Sequence, residues 1–366
     1  MKIILLLIIV VETLVLCLVL YYFKVIPQIS FLHSNGANLT SVEEPSPTPF
    51  TLGRQEIVGW FAAFDSEKTQ RVLPGVIGNF NIFSPMLYRI LPDSSLGRHS
   101  VPTREYMLSL AQENNVPIAP VITDESDVIR VEKMLNDEEI QQKFIDDLVV
   151  EAKAEGFTGW SIDIENLKGT DQKAFSQFIK NTYNRLHEND LKLYTIVYGR
   201  TENETYDPAI AHDYKTLGKY SDQIQLMVYN YNNEYTGPGG QTPLEWYRRV
   251  LQHAVDSVPR EKILVGLSTH GYDWHGDEVT GLTYPEVEEI IEKYNPKITY
   301  NKEHSAAVAN YTDESGVEHN VWFEDAKTIS EKMEIAKKEF GINKFALWRL
   351  SAEDPKIWDT IQVNQN

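Results

Sequence analysis

Cysteine is almost absent from this 366-residue sequence. Cys17 stands alone, so no disulfide can form within the chain and no cysteine-based zinc site can be built. Positive charge is also scarce: 34 Lys and Arg face 53 Asp and Glu, a net charge of −19. That balance argues against nucleic acid or an anionic membrane surface as the main partner, because both demand a basic patch. It is compatible with a neutral ligand. Long apolar runs are missing apart from one at the amino terminus. The excess is in aromatics, with 19 Tyr and 7 Trp, which suits a sugar-binding cleft and a large core equally well. Charged residues at 24% and hydrophobic ones at 42% are ordinary for a globular chain, which excludes global disorder.

The one long apolar run covers Ile3 to Phe23, between Lys2 and Lys24. At about 1.5 Å per residue it reaches roughly 30 Å, the thickness of a bilayer core. Glu12 near its middle costs roughly 3 kcal/mol on insertion scales, which the surrounding Leu and Ile offset. No small-x-small cleavage site follows, and Leu14-Val15-Leu16 lacks the small residue that a lipoprotein signal places before its cysteine. Residues 1–24 are therefore expected to be an uncleaved membrane anchor, with the acidic remainder exported. The alternative is a cleaved signal with a poor site. Residues 25–54 contain Glu44-Pro45-Ser46-Pro47-Thr48-Pro49 and are expected to be an extended linker.

From Gln55 onward, short β-branched or aromatic runs alternate with amphipathic stretches. The runs are residues 57–64, 76–83, 117–122, 159–164, 192–198, 223–229, 262–268 and 344–350; helices are expected at 103–114, 137–155, 171–188, 208–219, 243–257 and 325–340. Gly156 and Gly341 follow two of these helices, as helix-ending glycines do. Eight strands with intervening helices predict an α/β fold, a (β/α)8 TIM barrel over residues 55–366; a doubly wound sheet is the second choice. The segment 270–343 is too long for one crossover and reads as a small α+β insertion on the barrel rim. The stretch between the first two runs is poorly helical by pattern. In such barrels the chemistry sits at the carboxyl ends of the strands.

The fourth run ends Trp160-Ser161-Ile162-Asp163-Ile164-Glu165-Asn166. Side chains alternate along a strand, so Ser161, Asp163 and Glu165 share one face and Trp160, Ile162 and Ile164 the other. Two acids on a buried face are costly unless they are paired or used. Neighbouring carboxylates raise the pKa of one member, as a general acid requires. A salt-bridged or solvent-facing strand end is the bland alternative. His270, Asp273 and His275 lie close together after the seventh run, but their spacing matches no metal template, so no metal is expected and they read as solvated loop residues. Arg349 reads as half of a surface salt bridge, and Asp124-Glu125-Ser126-Asp127 as a polar loop with a helix cap.

These residues resemble the signature of glycoside hydrolase family 18, the chitinase family, written Asp-x-x-Asp-x-Asp-x-Glu at the end of the fourth barrel strand. Asp163 and Glu165 match its last two acids; Thr158 and Ser161 replace the first two. The run from Gln225 to Tyr231 resembles the family's Met-x-Tyr-Asp motif, with Asn230 in place of the acid. The segments 262–267 with 271–274, and Ala346-Leu347-Trp348, resemble its seventh and eighth strands. Residues 321–326 are similar to a segment of the peptidoglycan-directed branch, which includes spore cortex-lytic enzymes. The resemblance covers roughly residues 55–360.

It implies a retaining hydrolase of β-linked N-acetylglucosamine glycans, peptidoglycan or chitin-like, that uses the substrate's acetamido oxygen as nucleophile. Glu165 would be the general acid, Asp163 would orient the acetamide, and Tyr229 would hydrogen-bond its oxygen. Trp348 would floor the sugar site, with Met227, Asn230, Ser161, Trp60 and Tyr272 as further substrate-binding residues. No cofactor is implied, the partner is an N-acetylglucosamine-containing polysaccharide, and a monomer is expected. The replacements at 158, 161 and 230 leave open a catalytically weak or inactive, lectin-like barrel on the same frame.

Overall fold

The structure, a computed structural model, describes residues 54–125 and 128–361. The expected anchor over 1–24, with Cys17, and the linker up to residue 53 lie outside the described residues, as do Ser126 and Asp127. No helix among the described residues is long and apolar enough to cross a membrane.

Fourteen strands are described: β1 Glu56–Phe61, β2 Ile82–Ile90, β3 Leu96–Arg98, β4 Val121–Thr123, β5 Gly159–Asp163, β6 Lys192–Tyr198, β7 Gln223–Met227, β8 Ile263–Ser268, β9 Gly271–His275, β10 Glu278–Leu282, β11 Ile298–Asn301, β12 Ala306–Thr312, β13 Glu318–Phe323 and β14 Lys344–Trp348. Eight of them close a parallel barrel in the order β1, β2, β4, β5, β6, β7, β8, β14 and back to β1. Register is shared all round, with Val58 opposite both Ile82 and Ala346, and Ile122 opposite Ile162.

Strand alternation sorts the side chains into two apolar layers. Trp160, Ile162, Leu193, Val197, Ile224, Leu226, Val265 and Leu267 face outward and pack against helix residues such as Phe144, Leu148, Phe175 and Phe178. A smaller inner cluster joins Val58, Trp60, Val121, Ile196, Met227, Leu264 and Ala346. Three buried polar side chains inside the barrel form a chain: Trp60 Nε1 donates to Gln225 Oε1 at 3.1 Å, and Gln225 Nε2 donates to Gln223 Oε1 at 2.9 Å. Trp60 fits because residue 266 is glycine; a Cβ there would lie 2.5 Å from its ring.

Helix ends behave as the pattern predicts. Asp137 accepts from Ile140 N and caps Glu138–Glu155, and Gly156 ends that helix at φ +72°. Asp325 caps Ala326–Phe340, and Gly341 ends it at φ +70°.

The second strand is a correction. It runs from Ile82 to Ile90 and not over 76–83, because residues 66–76 form a helix whose Leu73 and Val76 face the core. Pro74 and the nearby glycines conceal that helix, but a proline in the last turn still permits the turns before it. The first, third and eighth runs are shorter than their apolar stretches. Residues 208–219 split into helices Asp207–Ala211 and Tyr214–Lys219.

Between β8 and β14 lies an antiparallel sheet in the order β10-β9-β13-β12-β11. Helix Tyr284–Tyr294 covers one face through Val287, against Ala307, Ala309, Val321 and Phe323. This is the α+β insertion, with the hairpin β9–β10 in place of the expected loop. Helix Ala326–Phe340 packs on the barrel through Ile329, Met333 and Ala336.

A buried ion pair ties the insertion to helix Ala326–Phe340. Lys332 is 1% and Glu324 2% exposed; Lys332 Nζ donates to Glu324 Oε2 at 2.6 Å and to Ser305 O at 2.7 Å. Thr328 Oγ1 donates to the same carboxylate at 2.7 Å. Removing one partner leaves the other charge buried and uncompensated, so Lys332→Ala should destabilise by about 3–5 kcal/mol in denaturant unfolding, while Glu324→Leu/Lys332→Met recovers most of that loss. A single variant as stable as the parent would refute the anchoring role.

Candidate active site

The carboxyl ends of the barrel strands surround a cavity of about 450 Å³. β5 delivers Asp163 into it, and the chain just beyond β5 delivers Glu165. Their outward neighbours Ile162 and Ile164 belong to the layer beneath the helices, so the alternation along this strand aims both acids inward. Trp60, Met227, Tyr229, Asn230 and Trp348 line the same cavity. The two indoles meet edge to face at 6.4 Å and 73°, and Tyr229 stands edge-on to His270 at 6.4 Å.

Two expected residues sit outside this lining. Ser161 is fully buried beneath it, its hydroxyl donating to Ala119 O at 3.3 Å and sharing a 3.4 Å hydrogen bond with Ser84. Tyr272 reaches the cavity only through Asn230, donating from its hydroxyl to Asn230 Oδ1 at 3.4 Å. Thr158 donates to Ile118 O at 3.1 Å. The hydroxyls at 158 and 161 thus serve the strand's own framework. Asn230 differs, because it lines the cavity and adopts φ +60°, a left-handed conformation that Asn tolerates well.

Asp124 is the main correction. It is 3% exposed, lines the cavity, and is a structural partner of the acids. Its Oδ2 accepts from Glu165 N at 3.0 Å and Asn166 N at 2.7 Å, and its Oδ1 accepts from Asn166 Nδ2 at 3.0 Å. Its position at the end of β4 was the available signal, since that is where barrel chemistry collects. Tyr198, the last residue of β6, also lines the cavity and carries the same strand-end signal.

Arg349 is half-buried, paired with Asp65 through Nε and lying over the Phe64 ring at 4.9 Å. The trio after β8 disperses. Asp273 accepts from His319 Nδ1 at 2.6 Å, His275 Nε2 hydrogen-bonds Thr280, and His270 is buried against Ser268 and Trp348 O. These residues are strand and core, not solvated loop. Among the described residues no group of three could hold a metal ion.

Burial dominates the electrostatics. It drives the Asp163 carboxyl well above the usual carboxylate range, and the negative neighbours Glu165 and Asp124 push it further. Glu165 is raised by burial and by Asp124, while the Tyr198 phenol favours its ionised form. Tyr229 is raised well above 10 by burial and by both acids, so it remains a neutral hydroxyl donor. A protonated carboxyl, a second acid 2 positions before it on the same face, a fixed phenol and an indole floor can donate a proton, steady a developing positive charge and grip a small polar group together.

Residues 88–353 match the family model for glycosyl hydrolases family 18. The chain belongs to glycosyl hydrolases family 18. The chain is similar to the cortical fragment-lytic enzyme of Bacillus subtilis (strain 168), 27% identical over 271 residues that make up 70% of this chain and 62% of that protein. The uncharacterized glycosylase YvbX of the same organism is 26% identical, over 71% of this chain and 78% of that protein. The spore cortex-lytic enzyme SleL of Bacillus cereus superposes with a TM-score of 0.79 at 25% identity, covering 86% of this chain and 76% of that one. A chitinase from Chromobacterium violaceum shares the fold, with a TM-score of 0.78 over 85% of this chain and all of that one. In this family 18 chain, two of the four signature acids line the cavity and the hydroxyls that replace the other two lie behind it.

Asp163 is held at a cost to stability, because its Oδ1 is buried without a hydrogen-bond partner. Its carboxyl ionises near 4 in the unfolded chain but keeps its proton to higher pH when folded. The native state then binds more protons across that window, and stability falls as pH rises through it. Asp163→Asn should therefore melt above the parent at pH 7 and with it near pH 3. Equal melting temperatures at both pH values would show that the carboxyl carries no burial penalty.

Proposed function

We propose that this protein is a retaining glycosidase acting on β-linked N-acetylglucosamine glycans by substrate-assisted catalysis, with peptidoglycan as the preferred polymer and chitin-like chains second. One observation carries the reading: Asp163 and Glu165 line a single cavity together with Tyr229 and Trp348. The similarity to a cortical fragment-lytic enzyme and to SleL supports the choice of polymer.

The residues divide the work. Protonated Glu165 donates to the leaving glycosidic oxygen and then, as carboxylate, takes a proton from the attacking water. The acetamido oxygen of the substrate attacks the anomeric carbon in the first step, and water displaces it in the second, so configuration is retained. Asp163 and Glu165 titrate as a pair, and donation requires the proton to sit on Glu165; Asp163, then a carboxylate, accepts from the acetamide N–H and stabilises the positive charge of the cyclic intermediate. Tyr229, kept neutral, donates to the acetamide oxygen, and Trp348 and Trp60 give the sugar an apolar floor. Asn230 supplies hydrogen bonds without charge, which slows the reaction; the retained Asp163 and Glu165 favour a slower enzyme over an inactive lectin. The apolar run 3–23 supports membrane anchoring with the barrel on the extracytoplasmic side.

The full chain and its Glu165→Gln form should be compared on aryl β-N-acetylglucosaminides and on purified peptidoglycan. The parent should turn over, and Glu165→Gln should lose about 10²–10⁴-fold in kcat. Activity should decline on the alkaline side as Glu165 loses its proton, with that limb above the ordinary carboxylate range because burial and Asp124 raise this group. Binding of glycan without turnover by the parent would establish the lectin instead.

A further inference from the structure

The peptide between the two acids is held by a residue that the mechanism above does not use. His212 lies between helices Asp207–Ala211 and Tyr214–Lys219, on the connection from β6 to β7, and is completely buried. Its Nδ1 accepts from the backbone N–H of Tyr198 at 3.0 Å, so its proton sits on Nε2, which donates to the carbonyl of Ile164 at 3.1 Å. That carbonyl belongs to the peptide whose N–H is Glu165's own, and Asp124 accepts from that N–H on the other side.

The imidazole also stacks on the Tyr198 ring at 5.6 Å and 26°, and tilts against Phe175 at 5.4 Å. Tyr198 is pinned at its other end as well, its carbonyl accepting from Tyr214 Oη–H at 2.6 Å. One ring therefore fixes the backbone of the general acid and the backbone of the phenol beside it.

We propose that His212 is a positioning residue for the reaction, which holds the Glu165 carboxyl and the Tyr198 phenol at the separation that sets how readily Glu165 gives up and recovers its proton. The inference rests on the glycosidase reading above. Burial supports it by keeping His212 neutral, with a pKa lowered to about 4. The neutral form is required, since a proton on Nδ1 would face the Tyr198 N–H donor to donor. The titratable groups around Glu165 are Asp163, Asp124, Tyr229 and Tyr198; the charged group nearest His212 is Arg200, whose Nη1 donates to His212 O at 3.1 Å.

The test is the pH profile of kcat/KM on an aryl β-N-acetylglucosaminide, with the full chain. Tyr198→Phe keeps the ring and removes the hydroxyl that favours the Glu165 anion, so the alkaline limb should move up by about one pH unit. His212→Phe keeps the stacking and removes both hydrogen bonds; it should shift the limb in the same direction and lower kcat about tenfold with KM within about twofold. His212→Asn can still accept from Tyr198 and His212→Gln can still donate to Ile164, so each should fall between His212→Phe and the parent. An unmoved limb in folded Tyr198→Phe and His212→Phe, whatever their melting temperatures, overturns the proposal and leaves the glycosidase reading standing. A parent without turnover overturns the glycosidase reading itself, and this inference with it.

Discussion

The Ile164–Glu165 peptide is gripped from two sides, and the cavity depends on that grip. Asp124 at the end of β4 accepts from its N–H, and His212 on the far side of β6 donates to its carbonyl. Glu165 lies beyond the last ladder residue of β5, where sheet hydrogen bonds no longer hold the chain. Those two partners, with the Leu167 N–H that donates to the Glu165 carbonyl at 3.0 Å, fix the direction of the backbone carrying the acid. The strands to either side of β5 each lend one side chain or its anchor, so closure of the barrel and placement of the acid are one event.

The same closure explains an electrostatic arrangement that would be unfavourable elsewhere. Asp163, Glu165 and Asp124 crowd one wall, and burial with mutual repulsion raises the first two carboxyls. The cost is borne by the two apolar layers of the barrel, whose outer layer runs unbroken under the helices. Away from the cavity, buried Lys332 is paired with Glu324, and Asp273 hydrogen-bonds His319. Both pairs involve the insertion, whose sheet contributes Tyr272 to the hydroxyl–amide contact with Asn230 at the cavity's edge.

Much of this was legible before the coordinates, for identifiable reasons. Period-two alternation at 160–165 predicted which side chains face inward, and they do, because a strand buried on both sides still sorts its residues by face. Glycines at 156 and 341 marked helix ends through their left-handed φ. Less visible were features without a local pattern. The helix at 66–76 was hidden by Pro74, and the hairpin β9–β10 by polar residues, of which those in β9 also pair with the distant β13. Asp124 looked like a loop acid because its partners lie about 40 residues away along the chain.

Local sequence therefore determined seven of the eight barrel strands, most of the helices and the inward pair of acids, since propensity and alternation act over a few residues. Tertiary structure alone decided that Asp124 and His212 would meet the same peptide from opposite sides, and that Ser161 would sit beneath the cavity while Tyr198 lines it. Those relations depend on strand register and barrel closure, which bring together groups dozens of residues apart and leave no trace in any short window of sequence.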